Sequence, residues 1–283
     1  MRQLQDIARE QNDMATIKQL TSAFESLASM RLSQIKNQVL QAQEFFNELW
    51  QIYRQLRIDN LFRFGRSQTD RAINKELFVI ITSEGGFSGD IDQRLVNRML
   101  KEYNPNNNDI IVVGSHGVVL LSQVGVAHKK YFKLPSKDQN IDVEPLIREI
   151  RQYRSAVAFY QTYVSLMIQD VKRIDIGTAV QAQGQHVGQS EDVISETTYI
   201  FEPSAYSVVA HLERSMLQIT LAQLIFDSKL AQYASRFRAM SAANERASNS
   251  LTDLNFLYNR THREIRDERL KEIINGLKKV GGQ

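Results

Sequence analysis

The chain contains no cysteine in its 283 residues. Disulfide staples, thiolate metal sites and thiol-based redox control are excluded at once. Proline is scarce as well: there are four, and all of them fall between residues 65 and 203, together with ten of the thirteen glycines. The stretches 1–64 and 204–275 hold neither residue, so they lack the two side chains that most readily interrupt a helix. No apolar run approaches the roughly 18 uninterrupted residues of a membrane span. The first residues, 1–14, carry acids early and have no apolar core, so neither a secretory signal nor an acid-poor transit peptide is expected. An excess of one charge is missing too. Lys and Arg total 35 against 32 Asp and Glu, a net +3, and the two signs are interspersed, which speaks against a nucleic-acid partner.

What the sequence does have is periodicity. As one helix, residues 204–275 would extend roughly 108 Å at ~1.5 Å rise per residue. Alternate steps of four and three from Leu212 reach Met216, Ile219, Gln223, Phe226, Leu230, Tyr233, Phe237, Met240, Asn244, Ala247, Leu251, Leu254, Tyr258, Thr261 and Ile265. Only Gln223, Asn244 and Thr261 are polar. That spacing is the seam of a left-handed coiled coil, narrower than the apolar stripe of a core helix, and a seam requires a partner. Leu32, Ile35, Val39, Ala42, Phe46, Leu49, Tyr53 and Leu56 repeat it near the other end of the chain. Ile17, Leu20, Phe24 and Ala28 lead into Leu32 largely by steps of four, which predicts a stutter in the supercoil. Because the two seams enclose the middle of the chain, they are expected to pair antiparallel.

The glycine and proline distribution divides the chain into a first helix at 1–64, a central domain at 65–203 and a last helix at 204–283. In the middle, residues 77–82 form a short β-branched apolar run, the mark of a strand buried on both faces. A glycine-rich turn, 83–89, precedes an expected helix at about 90–103, and a second buried strand follows at 110–113. Strand, turn, helix, strand describes a crossover unit with a parallel sheet. Further elements are expected at 131–134 (strand), 143–153 (helix, with Pro145 in its first turn), 156–163 (strand) and 193–201 (strand), with an exposed loop at 177–192. The predicted class is therefore α/β: a long antiparallel coiled coil of terminal helices plus a central Rossmann-like domain.

A strand, a glycine turn and a helix N-terminus together can hold a pyrophosphate, but this turn fails the dinucleotide pattern. Glu84 stands where glycine is needed, and Val113 is followed by Gly114 and Ser115, with no acid for a ribose hydroxyl. His116, His128, His186, His211 and His262 show no metal-ligand spacing, and no Gly-x-Ser-x-Gly nucleophile motif occurs. Neither a cofactor, a metal nor a catalytic residue is expected. Two other classes remain open on the residues alone: an enzyme that uses the central domain to bind nucleotide, and a coiled-coil adaptor that associates through its seams.

Five segments, in order along the chain, carry a resemblance. Residues 77–89 (LFVIITSEGGFSG) resemble the strand-and-turn signature of the gamma subunit of F-type ATP synthases, with its Ser/Thr-Asp/Glu-x-Gly-Leu-Cys-Gly turn. Residues 20–28 (LTSAFESLA) are similar to that family's first-helix segment. Residues 236–243 (RFRAMSAA) resemble its Arg-Met-x-Ala-Met-x-x-Ala run, with Phe237 in place of the first methionine. Residues 247–249 with 257–261, and residues 199–203, complete the set.

The resemblance implies a central-stalk rotor subunit that transmits torque between the membrane c-ring and the catalytic hexamer of alpha and beta subunits. Such a subunit would also be in contact with epsilon and would catalyse nothing itself. It would be peripheral, on the cytoplasmic face of a bacterial plasma membrane. By the same resemblance, Phe24, Glu25, Ser26, Arg236, His262, Arg263 and Arg266 fall at shaft positions that meet beta subunits. The sequence departs from the family at several of these. Ser26 replaces a methionine, His262 and Arg263 replace an Arg-Gln pair, Arg266 and Asp267 replace Ile-Thr, and Ser88 replaces the cysteine of the turn. A specialised stator contact in a divergent rotary ATPase is one reading of so charged a tip, and a solvated helix face is the other.

Overall fold

In a computed structural model, residues 4–55, 73–134, 141–179, 202 and 204–280 are described. Two helices dominate. α1 spans Leu4–Gln55. β1 (Ile73–Ile81), α2 (Ile91–Leu100), β2 (Asn108–Val113), α3 (Ser115–Val124), β3 (Lys130–Phe132), α4 (Glu144–Ile150), β4 (Tyr153–Tyr163) and β5 (Gln169–Asp175) follow, and α5 spans Ala205–Val280. The chain divides into two compact units, Met1–Leu27 with Phe237–Gln283, and Ala28–Arg236.

In the larger unit a five-stranded sheet has the order β3-β2-β1-β4-β5. β1 is parallel to β2 and to β4, β2 is parallel to β3, and β5 closes the edge antiparallel to β4. The unbroken apolar runs are explained by two-sided burial. Leu77, Val79, Ile81, Ile111, Val113, Ala156 and Ala158 face a core shared with α4, α1 and α5. Phe78, Ile80, Ile110, Val112, Val157 and Phe159 face a core formed with α2 and α3. Successive strand residues point to opposite faces, so a strand covered on both sides is apolar at every position. The apolar segment 118–124 belongs to helix α3. That helix ends at Gly125, whose φ of 72° lets its N–H reach back to Leu121 O and Ser122 O.

Also in this unit, α1 and α5 run antiparallel. Ile35 packs with Phe226 and Leu230. Farther along α1, Phe46, Trp50 and Tyr53 share a core with Leu212, Met216 and Leu217, and Tyr53 Oη donates to Glu213 Oε1 at 3.3 Å. From 216 to 235 α5 is covered nearly all round, because the sheet and α1 both lie against it.

The smaller unit holds the other parts of the same two helices. Gln11 Nε2 donates to Asn255 Oδ1 at 2.8 Å, Lys18 Nζ to Ser248 Oγ at 3.1 Å, and Asn244 Nδ2 to Glu25 Oε2 at 3.5 Å. Rising numbers on α1 meet falling numbers on α5, so this pair is also antiparallel. Between 251 and 277 the residues of α5 that are not fully exposed are Leu251, Leu254, Tyr258, Thr261 and Ile265, the positions of the expected seam.

The expected stutter does not occur. Leu4, Ile7, Gln11, Met14, Lys18, Thr21, Glu25, Ala28, Leu32 and Ile35 of α1 are covered, an unbroken alternation of three and four, with Ala8, Glu10, Ala15 and Arg31 half-covered beside them. Ile17 (46% exposed), Leu20 (53%) and Phe24 (37%) form a stripe on the outside. The apolar pattern pointed to the wrong face because four seam positions here are polar. They are tolerated because each has a partner: Gln11, Lys18 and Glu25 bond across to α5, and Thr21 Oγ1 donates to Ile17 O and Lys18 O in its own helix.

The loop expected at 177–192 begins inside a helical turn, 176–179, in which Ala179 is buried. Residues 180–192, the strand expected at 193–201, and Leu56 with the remainder of the first helix to 64 lie outside the described residues.

Candidate functional site

In a sheet of this order, successive connections change direction between β1 and β4, and ligands of doubly wound folds bind at the carboxyl ends of such strands. The residues there are Thr82, Ser83, the turn 84–89, and Gln161. Two glycines let the chain pass closely. A Cβ on Gly114, whose φ is 98°, would sit 2.1 Å from Thr82 O, and one on Gly117 would sit 2.6 Å from Thr82 Oγ1. Thr82 Oγ1 accepts from Gly117 N at 2.9 Å and lies 3.1 Å from Val113 O, so the β1 and β2 ends are tied together.

The crevice is filled from within the protein. Asp92, in the first turn of α2, is fully buried. Its carboxylate accepts from Ser83 Oγ at 2.5 Å, His116 Nδ1 at 2.7 Å, Gln161 Nε2 at 2.7 Å, and more distantly from Ser83 N and Ser88 Oγ. Gln161, also fully buried, accepts through Oε1 from Ser228 Oγ and from Gln232 Nε2, both on α5. Ser235 Oγ of α5 donates to Ser88 O at 2.7 Å, and Arg236 to Gly86 O at 3.3 Å. A polar stripe of the long helix therefore occupies the place where a doubly wound enzyme would hold its ligand. Glu84 turns away from that place: its carboxylate accepts from Leu134 N at 2.5 Å and from Tyr131 Oη.

His116 lies in the first turn of α3, where the helix dipole disfavours an imidazolium by about 0.3–1 kcal/mol. The charge-assisted bond to Asp92 has the opposite sign and is worth about 1.5–3 kcal/mol. The hydrogen bond prevails: Asp92 raises the His116 pKa above its usual value against the opposing effect of burial. On α5, burial pushes Asp227 up to about 6, and Lys172 only partly offsets it. Tyr160, which faces Asp227, is raised by burial and by that charge.

The residues assigned to stator contacts are spread over both units. Phe24, Glu25 and Ser26 lie on α1 in the smaller unit. Phe24 is 37% exposed, Glu25 accepts from Asn244, and exposed Ser26 donates to Ser22 O at 3.0 Å. His262, Arg263 and Arg266 are exposed on α5 of the same unit, with His262 stacked on Tyr258 at 6.1 Å. They sit well along α5 from Asn244, so they form a second group and do not join Phe24, Glu25 and Ser26. Arg236 lies in the larger unit, its guanidinium 5.4 Å from the Tyr233 ring centre. Sequence reasoning missed the Asp92 network. Its members are ordinary polar residues scattered from 83 to 235, and the one available signal was an acid in the first turn of an amphipathic helix after a glycine-rich stretch.

No group of three or more His, Asp or Glu side chains able to hold a metal occurs among the described residues, and none of their helices is long and apolar enough to cross a membrane.

Comparison with known proteins agrees with this arrangement. A family model described as ATP synthase matches residues 3–280. The ATP synthase gamma chain of Mycoplasmoides gallisepticum is 24% identical over 99% of this chain and 100% of its own length. That of Chlorobium phaeobacteroides is 25% identical over 100% of each. Among solved structures, a chain of the Euglena gracilis mitochondrial ATP synthase rotor superposes with a TM-score of 0.63 at 13% identity, covering 93% of this chain and 98% of that one. A chain of the Tetrahymena thermophila mitochondrial ATP synthase central stalk and c-ring superposes with a TM-score of 0.57 at 16% identity, covering 79% and 99%. With two long helices paired antiparallel, a sheet crevice closed by one of them and a family match from end to end, this chain belongs to the ATP synthase gamma family of central-stalk rotor subunits.

Proposed function

We propose that the chain transmits torque between the membrane c-ring and the catalytic hexamer of alpha and beta subunits, touches epsilon near its central domain, and catalyses no reaction itself. The observation that carries this reading is the crevice between β1 and β4. It is filled by Ser228, Gln232 and Ser235 of α5, so the one place a doubly wound domain would bind a ligand serves to anchor a helix. A rotor element needs resistance to torsion, and seam burial supplies it. Ile7, Ala28, Ile35, Phe46, Met216 and Ala247 are all buried, and each large apolar side chain among them contributes about 1.5–3 kcal/mol. Slippage of one helix along the other would lose many of these contacts together.

On this reading the chain has three working parts, 1–64, 65–203 and 204–283, and lies at the cytoplasmic face of a bacterial plasma membrane as a peripheral subunit. Phe24, Glu25, Ser26, Arg236, His262, Arg263 and Arg266 meet the beta subunits. The exposed Ile17, Leu20 and Phe24 stripe supports this, since a contiguous apolar face on a helix calls for a cover. The test is replacement of Arg263 and Arg266 by alanine. Both are exposed, so the helical content and melting of the chain should not change, while ATP-driven ion pumping by the assembled complex should fall. Normal pumping by the double variant would remove these two residues from the stator contact. Failure of the chain to copurify with a nucleotide-hydrolysing hexamer would remove the rotor reading as a whole.

A further inference from the structure

We propose that His116 and Asp92 form a proton-sensitive clasp that holds the glycine-rich turn, and through Gln161 the long helix α5, more firmly when His116 is charged. The inference does not depend on the rotor reading. It concerns the larger unit only.

The geometry is that of a single node. Asp92 is fully buried and receives hydrogen bonds from the turn (Ser83 N, Ser83 Oγ and Ser88 Oγ), from β4 (Gln161 Nε2) and from α3 (His116 Nδ1). All but the histidine are neutral donors. The other charged groups near the turn are directed elsewhere: Glu84 to Leu134 N and Tyr131, Arg94 to Asp90 and Gln169 O, and Arg236 to Gly86 O. On α5 the groups that meet the node are Ser228, Gln232 and Ser235, none of them charged. The imidazolium is therefore the cation that balances a carboxylate removed from water. The His116 side chain remains 27% exposed, so protons reach it without the unit unfolding. When it is neutral the buried carboxylate keeps its hydrogen bonds but loses its counter-charge, and a buried charge without one is the less stable arrangement. Because the folded pKa of His116 lies above its unfolded value, the extra stability is fully present below about pH 6.5 and is lost as the pH rises through the folded pKa.

The test is amide hydrogen exchange in the intact chain from pH 5.5 to 8.5, referenced to intrinsic exchange rates, for residues 83–89 and 228–235. With Asp227→Asn in every sample, so that this carboxylate does not titrate over the same range, protection should be constant below about pH 6.5, fall by up to about tenfold per pH unit above it, and level off once His116 is neutral. In H116Q, protection should stay at the lower level throughout. In H116K, a permanent cation should hold it at the upper level. Protection that does not change with pH while His116 is in place, or a fall that survives in H116Q on the same Asp227→Asn background, overturns the clasp. A carbon–proton NMR titration of the His116 ring in the unaltered chain provides a reading independent of any substitution. A midpoint above 6.5 supports the proposal, and a midpoint at or below 6.5 refutes it.

Discussion

Asp227 offers the sharpest energetic test of the packing between α5 and the sheet. Burial raises its pKa from 3.8 to about 6. The folded chain thus binds this proton more tightly than the unfolded chain does. It gains stability as the pH falls from about 6 toward 3.8, and above pH 6 it carries the full penalty of a desolvated carboxylate. A difference of about two pK units at 1.36 kcal/mol each amounts to roughly 3 kcal/mol. Asp227→Asn keeps the shape and removes the charge, so it should stabilise the larger unit at pH 7.5 by about 3 kcal/mol, a figure already net of the attraction to Lys172. The chain has a single tryptophan. Trp50 is buried in the core shared by α1, α5 and the sheet, so its fluorescence during urea unfolding reports on this unit. The difference between variant and parent should shrink by more than half at pH 4.5 and vanish below about pH 3. A destabilised variant at pH 7.5, or a gain of equal size at both pH values, would refute the argument that burial of this carboxylate opposes folding.

Two isoleucines on α1 test the corrected seam. Ile7→Ala removes a side chain that is 1% exposed and should cost about 2–5 kcal/mol, whereas Ile17→Ala, at 46% exposed, should stay within about 0.5 kcal/mol. Equal effects in thermal melts would restore the stutter. Gly114→Ala should cost more than about 3 kcal/mol, because it combines a φ of 98° with a Cβ placed 2.1 Å from Thr82 O. Near-parental stability in urea would show that the β1 and β2 ends are less tightly crossed than the structure has them.

Much of this protein was legible in its residues because the signals were local and repeated. Strands buried on both faces are apolar at every position, and β1, β2 and β4 lie where such runs stood. The seam of α5 continues to Ile265 at the expected spacing, since a heptad that survives so many repeats has one geometric meaning. The weak alternation after 165 concealed β5, an edge strand at Gln169–Asp175 with one partner and little need of a pattern.

Periodicity alone therefore determined that long helices flank a parallel α/β middle and that a coiled coil joins them. Which face of α1 makes that coil was decided only by the tertiary structure. Gln11, Lys18 and Glu25 are acceptable in the seam solely because Asn255, Ser248 and Asn244 stand opposite, and a partner on a helix more than two hundred residues away leaves no mark on the local pattern. The same holds for the node at Asp92. A serine, a histidine, a glutamine and another serine acquire a shared role only when the fold brings residues 83, 116, 161 and 228 around one buried carboxylate and its amide partner. Buried polar groups must find partners wherever the chain can supply them.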